Sequence, residues 1–192
     1  TVMSYLPFLA GLLMVAVVSF WDDVKSLPDS VRLIVQFVAM ILMFLSMNLF
    51  SVMSYELGVM SQWIQILLTA LIVLVALIVC VGATNVINFM DGINGITAGY
   101  SLAVLLPLVL LNQELAFMEP SFLVVAILGV LVFCIFNFRP KGKAKCFAGD
   151  VGSIAIAFIM LFAIGKLVVL TSDVTYLIFL LVYGVDGCLT IC

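Results

Sequence analysis

Residues 67–84 read "LLTALIVLVALIVCVGAT", and "NVINFMDGINGI" follows at once as residues 85–96. The first stretch carries no charge and approaches the ~20 apolar residues that cross a bilayer as helix. The second sets Asn85, Asn88, Asp91 and Asn94 three residues apart, with Gly92 and Gly95 interleaved at the later steps. On an ideal helix each three-residue step leaves the next member about 60° behind the last. Asn85 and Asn88 can share a face, and so can Asn88 and Asp91, but Asn94 would have drifted halfway round. Glycine lets the backbone leave helical geometry at little steric cost. The reading is a membrane helix that ends near Asp91, then a tight glycine turn that re-aims Asn94, so that four polar groups converge on one polar ligand. Amides serving as glue between helices would explain one or two of the asparagines, but the dense run less well.

The rest of the chain agrees with a membrane setting. Of 192 residues, 67% are hydrophobic and 9% charged, against about a quarter charged in a soluble domain. Too few charges remain to coat a water-facing surface. The fold class is all-α, a polytopic transmembrane helical bundle of about seven spans in one domain over residues 1–192. The apolar segments run roughly over 2–21, 32–50, 63–83, 98–112, 121–138, 152–170 and 174–192. Net charge is −3 without a basic tract, so nothing points to nucleic acid. Histidine is absent, which removes a His general base, a Ser-His-Asp triad and a His-ligated metal from these residues. The five cysteines, Cys80, Cys134, Cys146, Cys188 and Cys192, form no metal-ligand spacing and read mainly as buried thiols.

Parity assigns the polar links to two sides. "DDVKSLPDS", "NVINFMDGINGI" and "FRPKGKAKCFAGDVGS" fall on one; "SVMSYELGVMSQ", "NQELAFMEP" and "TSD" fall on the other. Lys25, Arg32, Arg139, Lys141, Lys143 and Lys145 belong to the first side, which the positive-inside rule makes cytoplasmic. Lys166 alone lies toward the second, which carries Glu56, Glu114, Glu119 and Asp173. The links rich in Asp, Asn, Gly and Lys thus share one face.

Two further constellations stand there. In "FWDDVKSLPDSVRL", Asp22 and Asp23 close an apolar helix at its C-terminus, the negative end of the dipole. Adjacent carboxylates in that place call for a cation: a metal, a lysine or an arginine. The plainer alternative is a solvated loop turning at Pro28 and Asp29, and Arg32 at the head of the next helix is placed for a phosphate. In "KAKCFAGDVGSIAIAF", Gly149-Asp150 and Gly152-Ser153 open another apolar helix. Free N–H groups at a helix N-terminus favour phosphate, while Asp150 has the simpler role of a cap as its alternative. The upstream lysines suit anionic headgroups or a diphosphate, and Phe147 suits stacking on a base or anchoring at the interface. Asp22, Asp23, Asn88, Asp91 and Asp150 offer hard oxygen ligands without Cys or His, which points to Mg²⁺ or Mn²⁺. The chemistry suggested is phosphoryl transfer from a soluble donor to a lipid. A transporter or ion channel using the acidic residues is the competing class, but it would place them near the midplane.

"DDVKSLPDSVRL", "NVINFMDGINGI" and "CFAGDVGS" resemble, in order and spacing, the cytoplasmic motifs of the polyprenyl-phosphate N-acetylhexosamine-1-phosphate transferases of glycosyltransferase family 4. The resemblance implies an Mg²⁺-dependent enzyme of the bacterial inner membrane with a cytoplasmic active site. It would transfer HexNAc-1-phosphate, GlcNAc-1-phosphate by preference, from UDP-HexNAc to polyprenyl (undecaprenyl) phosphate and release UMP, starting a cell-envelope glycan. Membrane lipids are the further partners, with a homodimer left open. By the same resemblance Asp22 and Asp23 are the paired acids, one of which positions or deprotonates the lipid phosphate. Arg32 stands where relatives have a basic residue for phosphates. Asn88 and Asp150 stand as metal ligands, and Asp91 contributes to the metal or nucleotide site. Asn94 lies near the uracil and Phe147 stacks on it. The chain departs from "DGxDG" by reading "DGING", which takes any acid–base role from position 94. One-step transfer and a route through an Asp-bound intermediate both stay open. Relatives extend further at both ends, so this stretch is expected to belong to a longer protein and to be inactive by itself.

Overall fold

The computed structural model of the protein describes residues 2–56, 61–140 and 142–191, and every regular element among them is helical. The chain divides into two compact units, Thr1–Gly82 and Ala83–Cys192, with the boundary inside one long helix.

The first unit opens with a 3₁₀ turn, Val2–Tyr5, followed by α1 (Leu6–Val24) and α2 (Asp29–Ser46). Pro28 precedes α2 with an extended ψ of 135°, and since proline keeps the residue before it out of helical geometry, the chain must turn there. The two helices pack together through Phe8 and Val15 on one side and Ala39, Met40 and Met43 on the other. At the far end the Ser46 hydroxyl donates to the Ser4 carbonyl at 2.6 Å. The span expected over 32–50 is shifted toward the N-terminus, starting at Asp29. It stops at Ser46 because Asn48 takes a left-handed φ of 57°, which asparagine tolerates better than most residues. A short α3, Leu49–Glu56, follows.

Helix α4, Gln62–Phe89, carries 28 residues and so extends about 42 Å, more than the ~30 Å hydrocarbon core. The excess length includes the turns that bear Asn85 and Asn88. Trp63, Leu67, Leu71, Leu74 and Ile78 are exposed along it, as a lipid-facing helix requires.

The second unit contains α5 (Ile96–Leu115), α6 (Pro120–Asn137), α7 (Gly149–Thr171), a 3₁₀ stretch (Val174–Leu180) and α8 (Leu181–Ile191). Its core is α7, where Ala157, Phe158, Phe162, Ala163, Ile164 and Leu167 are all buried. At one end Asn112 uses its whole amide on Met118, accepting from its N–H at 2.9 Å and donating to its carbonyl at 3.0 Å. That closes the α5–α6 turn. Lys166, near the end of α7, holds its ammonium 5.7 Å from the centroid of the Phe162 ring, a cation–π distance.

Among the described residues six helices are long and apolar enough to cross a membrane, which makes this an integral membrane protein. The seventh expected span is a shorter apolar helix, Val174–Gly187, which starts as 3₁₀ for seven residues. Runs of that kind beyond three or four residues are uncommon; this one has partners outside itself. Tyr100 donates to the Phe179 carbonyl at 2.6 Å, Tyr183 donates to the Ile96 carbonyl at 3.2 Å, and the two rings stack at 3.7 Å. Asp173 caps its start, and the hydroxyl and N–H of Thr175 hold the Asp173 carboxyl below its usual range. Further on, Gly187 meets the end of α4 so closely that a methyl group there would lie 2.6 Å from Val86.

The opening stretch behaves as its glycines imply, with one refinement. Helix α4 ends at Phe89, and the residue that needs glycine is Gly95, at φ 88°, which leads into α5. A Cβ at Gly95 would stand 1.9 Å from the Phe138 ring, whereas one at Gly92 would meet nothing within 4 Å. Gly95→Ala should therefore destabilise the protein by about 2–4 kcal/mol, from backbone strain plus the clash. Gly92→Ala should be near neutral. Thermal unfolding of both variants in detergent checks this, and equal midpoints would contradict it.

Candidate functional site

The corner of the first unit decides the question raised by two adjacent carboxylates. Asp22 and Asp23 occupy the last turn of α1, where the helix dipole disfavours anions. The cation that answers Asp22 is Arg32, whose Nη1 lies 3.0 Å from Asp22 Oδ2. The other carboxylate oxygen, Oδ1, accepts the Leu27 N–H at 2.6 Å. Asp22 is only 9% exposed and Arg32 25%, so this pair is partly shielded from water. Asp23, one residue on, is exposed. Neighbours in sequence thus have different surroundings: Asp22 holds the α1–α2 corner closed, and Asp23 faces outward.

In the second unit, three side chains build the polar end. Thr97, at the start of α5, donates its hydroxyl to Asp91 Oδ1 in a short hydrogen bond, tying the carboxylate to the turn. Ser153, in α7, approaches Asn88 Oδ1 at 2.5 Å and the Gly149 carbonyl at 2.8 Å. A hydroxyl carries one proton. It goes to one of these two oxygens, and an amide oxygen that accepts it keeps a second lone pair for a cation. Either way Ser153 links Asn88 to the first turn of α7, where Asp150 sits. Asp150 is not the cap, which is Ala148; it lies inside the first turn, where the dipole favours a carboxylate. Gly149 enters the helix at φ 61°.

The residue that joins these pieces is Asn137, the last of α6 and only 6% exposed. Its Oδ1 accepts the Gly95 N–H at 2.7 Å and its Nδ2 donates to the Cys146 carbonyl at 3.0 Å. Beside it Asn94 Nδ2 donates to the Arg139 carbonyl at 3.0 Å, and the Lys145 N–H donates to the Phe136 carbonyl at 2.9 Å. The asparagine-rich turn and the segment entering α7 are fastened to the same helix end. Phe147, next in the chain, is 81% exposed. It also lines a largely apolar cavity of about 440 Å³ with Thr97, Ser101, Phe133 and Ile156. Lys143 and Lys145 are exposed on this segment, while Lys141 lies outside the described residues.

Asn137 and Thr97 escaped the sequence reading, and Ser153 entered it only as part of the motif that opens α7. Asn137 sits inside an apolar run, where a lone amide at a helix end is the one available signal.

A glycosyl transferase family 4 model matches residues 5–172. The chain belongs to that family. Its relatives include the phospho-N-acetylmuramoyl-pentapeptide-transferase of Thermotoga neapolitana, 37% identical over 105 residues, covering 55% of this chain and 32% of that protein. Another is the probable undecaprenyl-phosphate N-acetylglucosaminyl 1-phosphate transferase of Bacillus subtilis, 33% identical over 138 residues, covering 68% of this chain and 34% of that protein. The chain thus matches about a third of the length of these curated relatives. No solved structure matches it.

For a family 4 chain the arrangement of donors fits a hard divalent cation. Among the described residues no group of three or more His, Cys, Asp or Glu side chains gathers as a metal cage. Mg²⁺ does not need one, because it commonly takes one or two protein oxygens and fills the remaining positions with water and phosphate. The Asn88 amide, brought to the first turn of α7 that carries Asp150, meets that requirement.

The unequal surroundings of the two acids lead to a test. Asp22→Ala leaves the partly buried Arg32 and the Leu27 N–H without their partner, and should cost about 2–3 kcal/mol. Asp23→Ala should leave the thermal midpoint within a degree or two of wild type, as expected of a surface change. Equal losses from the two substitutions would show that the Asp22 contacts do not hold the corner.

Proposed function

We propose that the whole protein transfers a sugar 1-phosphate, GlcNAc-1-phosphate by preference, from a UDP-sugar to polyprenyl phosphate in the bacterial inner membrane. The observation that carries this reading is the Ser153 bridge between Asn88 and the first turn of α7, since it ties the Asn88 amide to the helix N-terminus that bears Asp150. Family membership and the names of the relatives support the donor and acceptor classes. Arg139, Lys143 and Lys145 on the same end favour a cytoplasmic face by the positive-inside rule.

A phosphate oxygen of the lipid forms a new bond to the β-phosphorus of the UDP-sugar. The bond from that phosphorus to the bridging oxygen breaks, and UMP departs with the electron pair. Asn88 and Asp150 would hold Mg²⁺ or Mn²⁺, which when bound supplies charge neutralisation for the diphosphate. The positive end of the α7 dipole favours an anion there. By the family resemblance one of the paired acids, Asp22 or Asp23, would handle the lipid phosphate, and Asp23 is the more exposed of the two. Phe147 would offer its exposed ring to the uracil, and Asn94, its amide nitrogen donating to the Arg139 carbonyl, would lie near the base. The exposed apolar flanks of the helices suit membrane lipids, and in a homodimer a second copy.

The test uses the complete protein in membranes with polyprenyl phosphate, measuring UMP released from UDP-GlcNAc with and without Mg²⁺. Release should depend on the cation. Asp150→Asn should lower it about 10²-fold or more while the protein still inserts. Wild-type turnover by Asp150→Asn would refute the assignment of Asp150, and labelled-solute uptake without UMP release would favour a transporter.

A further inference from the structure

Asn137 grips two peptide groups with one planar side chain. The N–H it accepts belongs to the peptide joining Asn94 to Gly95, and the carbonyl it donates to belongs to the peptide joining Cys146 to Phe147. These are the peptides directly beside the two residues that the proposed function puts at the uracil. We propose that Asn137 is a positioning residue for nucleotide recognition, setting the spacing and orientation of Asn94 relative to Phe147; this rests on that proposed function.

Packing cannot supply the same service. Phe147 is 81% exposed and has little around it to hold its ring. It depends on the backbone beneath it, which is held by the Asn137 bond to Cys146 and the Lys145 bond to Phe136. On the other side Gly95 adopts a conformation that few residues share, and its N–H is buried with Asn137 as acceptor. Asparagine is the residue whose size and chemistry suit this place. Aspartate would keep the acceptor but turn a carboxylate oxygen against the Cys146 carbonyl; leucine would keep the volume and lose both bonds; glutamine adds a methylene to a buried site. A group that merely stabilised the fold would act on every property of the enzyme alike, whereas a spacer between two base-recognising residues acts on the nucleotide.

The experiment takes the full-length protein in detergent with Asn137→Leu and Asn137→Asp. It measures UDP binding by calorimetry, and kcat with KM for UDP-GlcNAc and for polyprenyl phosphate separately. UDP should bind at least about tenfold more weakly to both variants, the scale of one buried hydrogen bond. KM for UDP-GlcNAc should rise in step, with kcat and the lipid KM within about twofold. Asn137→Asp keeps the Gly95 contact and covers the case in which Asn137→Leu does not insert. Unchanged UDP affinity in the variants overturns the proposal alone. So does a parallel fall of kcat, of both affinities and of the thermal midpoint, which would mark a purely structural residue. If the wild-type protein itself binds no UDP, the proposed function fails and this inference falls with it.

Discussion

A buried peptide group left without a partner costs about 1–3 kcal/mol, so polar atoms buried at a helix end need partners inside the protein. That constraint shapes the second unit. Two asparagines at helix ends answer it. Asn112 spends both ends of its amide on Met118, closing one turn. Asn137 spends both ends of its own on Gly95 and Cys146, joining two segments far apart in sequence. The first contact makes a loop; the second makes the floor of a site.

The same constraint explains why the site lies where helices stop. Helix interiors are apolar and satisfy their own backbone. Where α4 ends, α5 begins through a left-handed glycine and α7 begins through another, so donors and acceptors are left over for side chains and for ligands. Thr97 answers Asp91 and Ser153 answers Asn88 in this way. A phosphate-bearing substrate would meet groups already held in place, and preorganised dipoles are the chief means by which a protein stabilises developing charge.

Charge is treated differently in the first unit. Asp22 and Asp23 have the same side chain, the same helix turn and opposite surroundings. The Arg32 guanidinium and the Leu27 N–H claim one, and the other is left at the surface. Proximity in sequence therefore did not mean shared surroundings, because adjacent residues on a helix point about 100° apart. The pairing with Arg32 also changes what that arginine can do, since a cation engaged with a carboxylate has less to offer a phosphate.

By itself the sequence determined the membrane class, the run of spans and the position of the polar turns, because apolar length and glycine placement act locally. It also singled out Asn88, Asp91, Asn94 and Asp150 as candidates for chemistry, since polar residues at the ends of such apolar helices need a reason, and Phe147 as an aromatic beside them. The break of the second span at Asn48, the 3₁₀ entry to the last span and the different surroundings of Asp22 and Asp23 lay beyond it. So did Asn137, hidden in an apolar run and 42 residues from the glycine it holds. Each of these depends on which atom of a distant segment arrives beside it. Only the tertiary structure decides that, because a hydrogen bond between remote residues leaves no periodicity in the chain.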